Sequence, residues 1–225
     1  MSRRQSKAET ITTDMVLRAY SVGLFPMAER ADDIAIHWIE PRLRGIIPLN
    51  NLHISKSLAK VIRSDHFEIR VDTDFDQVID ACAEREETWI NSRIRELYRA
   101  LFDEGHVHTV ETWRDGKLVG GLYGVSLGAG FFGETMFHHE TDASKVALAH
   151  LVARLIKGQF RLLDTQFLTP HLQTLGAIEI PREDYLTLLH YAINAKADFN
   201  IWPKDREPNG HEILSVLESA HAGLR

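Results

Sequence analysis

The stretch Arg161-Leu162-Leu163-Asp164-Thr165-Gln166-Phe167-Leu168 places a carboxylate and an amide two residues apart in an apolar, β-prone run. Side chains alternate along a strand, so Asp164 and Gln166 should share a face. An acid and an amide in an interior strand are expensive unless something pairs with them. A carboxylate can orient a neighbour or accept a proton, and an amide can both donate and accept. The pair therefore suits a binding site, a catalytic site or a satisfied internal network.

Other residues could do chemistry beside it. In Phe131-Phe132-Gly133-Glu134-Thr135-Met136-Phe137, Glu134 sits among large apolar side chains. Such an acid can bind a cation or titrate high, or it can be a salt-bridged core carboxylate. Simple alternation puts Phe132, Glu134 and Met136 on one face. Tyr20, Trp38, Trp89 and Trp113 are candidates for stacking, and Trp89 precedes a helix in a polar segment. Lys56, Lys60 and Arg63 share one helical face through i, i+4 and i+7 spacing, suited to phosphates or to plain solvation. Among 12 histidines, His106-x-His108 and His138-His139-Glu140 could offer metal ligands. Neither has an H-E-x-x-H spacing, so no metal is expected. There is no Ser nucleophile elbow and no Walker loop. Gly120-Gly121-x-x-Gly124 lies within a strand pattern, so it is no dinucleotide fingerprint.

These residues need a scaffold. The chain has 225 residues, enough for one large domain with a small one attached. At 44% hydrophobic and 26% charged it has the composition of a soluble globular protein. A net charge of −6 means that any RNA contact must come from a local basic patch. Cys82 is the sole cysteine, which excludes an intramolecular disulfide and suits a reducing cytoplasm. Residues 1–10 read as a polar, frayed segment without the apolar core of a secretory signal, and no run is long enough to span a membrane.

Along the chain, Thr12, Thr13 and Asp14 can cap a short helix ending near Tyr20. Strands are expected over Ile34–Trp38 and Ile46–Leu49. This leading part, residues 1–50, is too short for its own robust core and reads as a small N-terminal domain packed on the remainder, 51–225. There, Ser55 can cap a helix to Arg63, Phe67–Val71 is a strand, Phe75–Ala83 a helix, and Ser92–Glu104 a clearer one. Asp115-Gly116 signals a hairpin between strands at 107–114 and from 117 onward. A further strand at 130–137, a helix capped by Asp142 or Ser144, the Asp164 strand, a short helix near Leu172 and a helix with Pro181 at its first position complete the series. Antiparallel strands followed by helix, strand and helix predict an α+β mixed sheet.

Several segments occur together in one order: Tyr20-Ser21-Val22-Gly23-Leu24-Phe25-Pro26, Trp38-Ile39-Glu40-Pro41-Arg42, Leu52-His53-Ile54-Ser55-Lys56-Ser57-Leu58, Thr88-Trp89-Ile90, Gly105-His106-x-His108-x-Val110-Glu111, Leu118-Val119-Gly120-Gly121-Leu122-Tyr123-Gly124-Val125, Phe132-Gly133-Glu134-x-Met136-Phe137, Asp142-Ala143-Ser144-Lys145, Leu163-Asp164-Thr165-Gln166 and Leu175-Gly176-Ala177-x-Glu179-Ile180-Pro181-Arg182-x-x-Tyr185. The set resembles the leucyl/phenylalanyl-tRNA–protein transferase family from about residue 12 to Trp202. Each motif is weak alone; their joint order and spacing are specific.

The resemblance implies an acetyltransferase-like (GNAT-like) domain. It implies movement of leucine or phenylalanine, and methionine by shape, from aminoacyl-tRNA onto the N-terminal Arg or Lys of a protein, feeding the N-end rule pathway. Its partners would be Leu-tRNA or Phe-tRNA and those proteins, with the chain a monomer. The ester is already activated, so no cofactor, ATP or metal is implied. By similarity, Asp164 orients Gln166, which positions the attacking amine. Leu122 and Phe131 line the side-chain pocket, and a slot that admits side chains unbranched at Cβ rejects Ile and Val. Glu134 and Trp89 contact the aminoacyl-adenosine, and Lys56, Lys60 and Arg63 contact the acceptor stem. Met27 stands where family members carry an aromatic, so stacking on the terminal adenine is either lost or moved to Trp38 or Tyr20. Thr165 stands where a cysteine can occur.

Two rivals belong to other classes. An acyl-CoA N-acetyltransferase on the same fold needs a glycine-containing pyrophosphate loop, but His138-His139-Glu140-Thr141-Asp142-Ala143-Ser144-Lys145 has no glycine, and its two acids would repel a diphosphate. A non-catalytic RNA-binding module leaves the Asp164/Gln166 pair unexplained.

Overall fold

The computed structural model describes residues 11–30, 33, 35–84, 88–203 and 206–223. The polar segment 1–10 and Ile34, where a strand was expected to begin, lie outside them. In chain order the elements are α1 (Thr13–Ser21), β1 (Phe25–Met27), β2 (His37–Ile39), β3 (Leu43–Ile46), α2 (Lys56–Arg63), β4 (Glu68–Val71), α3 (Phe75–Ala83), α4 (Ser92–Asp103), β5 (Val107–Arg114), β6 (Lys117–Leu127), β7 (Gly130–His138), α5 (Ala143–Lys157), β8 (Leu162–Gln166), α6 (Pro170–Thr174), β9 (Ile178–Pro181), α7 (Arg182–Ile193) and α8 (Gly210–Ala222).

Seven strands form one open mixed sheet in the order β4-β5-β6-β7-β8-β3-β9, while β1 and β2 pair separately. Only β7 and β8 run parallel; the other neighbours are antiparallel. Helices cover both faces. Buried residues of α2, α5 and α8 pack in one cluster, and those of α1, α3, α4 and α7 in the other. This is the α+β mixed sheet expected from the order of elements, and it is consistent with the acetyltransferase-like fold that the resemblance implies.

Local chemistry sets most helix starts. Thr12, Ser55, Asp74 and Asn91 each accept a backbone N–H of the first turn of α1, α2, α3 and α4. The Asp115-Gly116 turn joins β5 to β6, with both residues at positive φ. Several elements differ from expectation, and the short strands β1 and β9 were not foreseen. The strand expected over Ile46–Leu49 lies earlier, as β3. Pro181 closes β9 and caps α7 instead of opening the helix. The C-terminal α8 was not foreseen, although Asn209 and Glu212 form a capping box.

Two relationships position the site. First, β3 is inserted between β8 and β9, so a division at residue 50 would cut a strand out of the main sheet. Buried residues of α1 also share their cluster with α3, α4 and α7. Second, the β7–β8 pairing stops at Phe132↔Asp164. Beyond that point β7 carries a bulge, because Tyr123↔Thr135 is followed by Gly124↔Gly133 and leaves Glu134 as the extra residue. The bulge inverts the alternation: Phe132 packs in one cluster and Met136 against the other, so the expected common face for Phe132, Glu134 and Met136 does not exist. The two strands part here, and a cleft opens between them.

Candidate active site

The cleft has a volume of about 430 Å³. Its apolar part is lined by Ile47, Leu122, Met136, Leu148, Leu151, Leu163 and Leu172. Glu134 and Gln166 face it from the diverging ends of β7 and β8, Met27 from the end of β1 and Trp89 from the loop before α4.

Glu134 accepts from three side chains: Tyr20 Oη at 2.5 Å, Tyr98 Oη at 2.9 Å and Gln166 Nε2 at 2.9 Å. The two phenols also lie 2.6 Å apart. Three oxygen–oxygen contacts among Tyr20, Tyr98 and Glu134 need three protons, and the phenols supply two. The third is available when the carboxyl is protonated. Burial pushes Glu134 up to about 7 despite the hydrogen bonds from Tyr20, Tyr98 and Gln166, which favour its charged form. Burial, then the charge of Glu134, holds both phenols well above their ordinary range, so they remain donors.

Asp164 is fully buried and does not line the cleft. Arg44 Nε donates to both of its oxygens at 3.0 Å, and Arg44 Nη2 to Oδ2 at 2.7 Å. Tyr185 Oη donates to Oδ2 at 2.5 Å. The backbone N–H of Gln166 donates to Oδ1 at 2.6 Å. The Arg44 guanidinium is itself 1% exposed and lies between the rings of Phe25 and Tyr185, 4.5 and 4.8 Å from their centroids. Its Nη1 donates to the Gly23 carbonyl at 3.2 Å. Gln166 has φ of 63°, and Phe167 N–H bonds to Thr165 O at 2.7 Å across it. This is a tight three-residue turn in the left-handed region, rare for a residue with a Cβ. The Arg44–Asp164–Tyr185 cluster holds that backbone in place.

A family model described as leucyl/phenylalanyl-tRNA protein transferase matches residues 46–190, and one for its N-terminal domain matches residues 9–42. The chain belongs to this family. A leucyl/phenylalanyl-tRNA–protein transferase of Rhodopseudomonas palustris is 55% identical over 220 residues, covering 96% of this chain and 98% of the relative. Those of Afipia carboxidovorans (53%, covering 99% and 100%) and Nitrobacter winogradskyi (55%, covering 96% and 98%) are similarly close. The transferase-family models leave residues 43–45 between them, at the start of β3.

Set against the transferase resemblance, the expected residues divide. Gln166, Glu134, Leu122 and Trp89 meet at the cleft. Tyr20 is sealed behind Glu134 and reaches the cleft only through it. Phe131 is fully buried against Phe199, with ring planes at 13° and centroids 5.6 Å apart, and it does not line the cleft. Its ring packs on Gly124, where a Cβ would lie 2.4 Å from it. Trp38 sits in β2 opposite Pro26 and is not among the lining residues, whereas Met27 is. Neither Trp38 nor Tyr20 is therefore a lining residue, whereas Trp89 and the exposed Phe167 both present aromatic rings to the cleft. Lys56, Lys60 and Arg63 are exposed on α2.

Asp164 does not brace the Gln166 side chain. It holds the Gln166 backbone, and Glu134 holds the amide. Arg44, Tyr98 and Tyr185 were not singled out as site residues. Arg44 could have been suspected as the one charge inside the apolar run from Leu43 to Leu49. Tyr98 was hidden by its place on a regular apolar stripe.

Among the described residues, no group of three or more His, Cys, Asp or Glu side chains is arranged to hold a metal, and no helix is long and apolar enough to cross a membrane.

Proposed function

We propose that this chain transfers leucine, phenylalanine or methionine from aminoacyl-tRNA to the N-terminal Arg or Lys of acceptor proteins, forming a peptide bond that marks them for N-end rule degradation. We propose further that it acts as a monomer in the cytoplasm. Family membership supports the reaction class. One observation carries the mechanism: Gln166 and Glu134, hydrogen-bonded to each other, face a cleft beside an apolar wall.

In this reading the amino-acid side chain enters the apolar part of the cleft beside Leu122, Met136 and Leu163. Trp89 contacts the adenosine end, and α2 meets the acceptor stem. A carboxylate only accepts, so the end of the Gln166 amide that meets Glu134 is its NH2 group. Gln166 Oε1 is then left to accept an N–H of the incoming amine and hold it toward the ester.

The acceptor's neutral α-amine attacks the ester carbonyl carbon. The C–N bond forms, the bond to the ribose oxygen breaks, that oxygen takes up a proton and the nitrogen gives one up. An amide is too weak a base to carry that proton. Glu134, titrating near neutrality, is matched to receive it and return it to the ribose oxygen. Asp164 touches neither partner; it is a positioning residue.

The test supplies the protein with charged Leu-tRNA or acetyl-CoA and an Arg-initiated peptide. Leucyl transfer without acetyl transfer is expected. Acetyl transfer alone would overturn the reading in favour of an N-acetyltransferase, and binding of tRNA with no transfer would favour a non-catalytic module.

A further inference from the structure

One end of the cleft is left unused by that mechanism. His138, Ser144 and His171 line it together, from β7, the first turn of α5 and α6. Glu134 and His138 stand four residues apart on the same strand, about 13 Å at an ordinary strand rise, which leaves room for an aminoacylated ribose between them.

The chemistry of this end is that of an anion site. Ser144 is 3% exposed, yet its hydroxyl has no hydrogen-bond partner among the described residues although it borders the cleft. Asp142, the residue before α5, adopts a left-handed conformation and makes no side-chain cap, so the 15-residue helix begins uncapped beside Ser144. Its carboxylate instead pairs with Lys145 at 2.8 Å, and Glu140 pairs with Arg114 at 2.8 Å. The two acids expected to repel a phosphate are thus each neutralised by a cation. Partial burial, then the charges of Lys145 and His138, lower His171, which places all three groups within electrostatic reach of one another.

We propose that His138, Ser144 and His171, with the uncapped start of α5, bind a phosphodiester of the donor's 3′ end, namely the phosphate on the 5′ side of the aminoacylated adenosine. The proposal rests on the transferase reading above. It assigns the two substrates to different parts of the cleft by hydrogen-bonding chemistry: the donor's phosphate goes to the hydroxyl and imidazole donors, and the acceptor's amine to the part that holds Glu134 and Gln166. The basic helix α2 contributes no residue to this cleft, so the phosphate is held separately from any acceptor-stem contact.

The experiment compares two minimal donors that differ by the phosphate alone, the leucyl esters of adenosine and of adenosine 5′-monophosphate. The readout is the ratio of their kcat/KM values. In the wild-type chain the phosphorylated donor should be favoured by about tenfold, the size of a charge-assisted hydrogen bond. Ser144→Ala and His171→Ala should each bring the ratio toward one. A His138→Ala/His171→Ala double variant changes only exposed side chains and guards against a folding defect at the buried serine. Damage to the fold lowers both donors together and does not move the ratio. Inorganic phosphate should inhibit use of the phosphorylated donor in the wild-type chain, and less so in the double variant.

A wild-type ratio near one, or a ratio that survives the single and double variants, overturns the anion site. Inhibition by free phosphate with no preference between the donors would assign the site to a free anion and would also overturn it. Absence of transfer from intact Leu-tRNA would overturn the transferase reading itself. Transfer from Leu-tRNA with an unmoved ratio would overturn this inference alone.

Discussion

Gln166 donates its side-chain amide to Glu134 at 2.9 Å, while its backbone N–H goes to Asp164 at 2.6 Å. Two carboxylates therefore share one residue but do different things. One faces the cleft and titrates near neutrality. The other is buried in an ion pair that holds a strained turn. Four consequences can be measured.

The first concerns the buried pair. Removing one partner of a buried ion pair costs about 3–5 kcal/mol, because the other charge is left uncompensated. Asp164→Asn and Arg44→Met should each destabilise by that order in urea titrations and abolish most transfer. The Arg44→Met/Asp164→Asn double variant should lose less stability than the sum of the single effects. Asp164→Ala strands Arg44 as well, so its effect on activity mixes fold and site. Additive losses would show that the pair is not coupled.

The second concerns pH and Glu134. Catalysis that needs its carboxylate should rise with pH through about 7 in single-turnover transfer. Glu134→Gln should remove that limb and lower the rate by about 10²-fold or more. Stability moves the other way. A carboxyl raised from about 4.5 to about 7 makes the folded state bind more protons between those values. Its contribution is fully present below about 4.5 and is lost as pH rises through 7, by an amount on the order of 3 kcal/mol. Thermal melts across this window should show that slope in the wild-type chain and not in Glu134→Gln. A pH-independent rate would remove Glu134 from the proton path.

The third concerns α2. Reversing Lys60 and Arg63 to Glu should weaken use of intact Leu-tRNA and flatten its salt dependence, because fewer counterions are released on binding. Use of leucyl-adenosine should be affected much less. An unchanged salt slope would take this helix out of the RNA footprint.

The fourth concerns selectivity. Leu122 borders the apolar part of the cleft and is 4% exposed. Leu122→Phe should narrow the pocket and reduce phenylalanine transfer more than leucine transfer. The ratio should move by about tenfold, as expected for shape discrimination in an apolar pocket. Competition between Phe-tRNA and Leu-tRNA measures it. An unmoved ratio would place the amino-acid side chain elsewhere.

Much of this was legible in the sequence because it rests on local chemistry. Ser55 and Asn91 mark helix starts through their own side-chain hydrogen bonds, and Asp115-Gly116 turns the chain through its backbone preferences. Alternation marked Asp164 and Gln166 as polar positions in a buried strand. The ordered motifs carried the family. What alternation could not give was the bulge at Glu134, since one inserted residue reverses the side of every later side chain. Nor could it give the positive φ at Gln166, which ends β8 just where the cleft opens.

The sequence by itself determined the kinds of groups available: an acid and an amide on one strand, an acid among apolar neighbours, a basic helix face, and an order of elements that permits a mixed sheet. Only the tertiary structure decided which acid serves which purpose. Arg44 lies 120 residues from Asp164, and Tyr20 and Tyr98 lie 114 and 36 residues from Glu134. Whether a carboxylate is locked in an ion pair or left to titrate depends on the charges and solvent around it, and those come from other strands and helices.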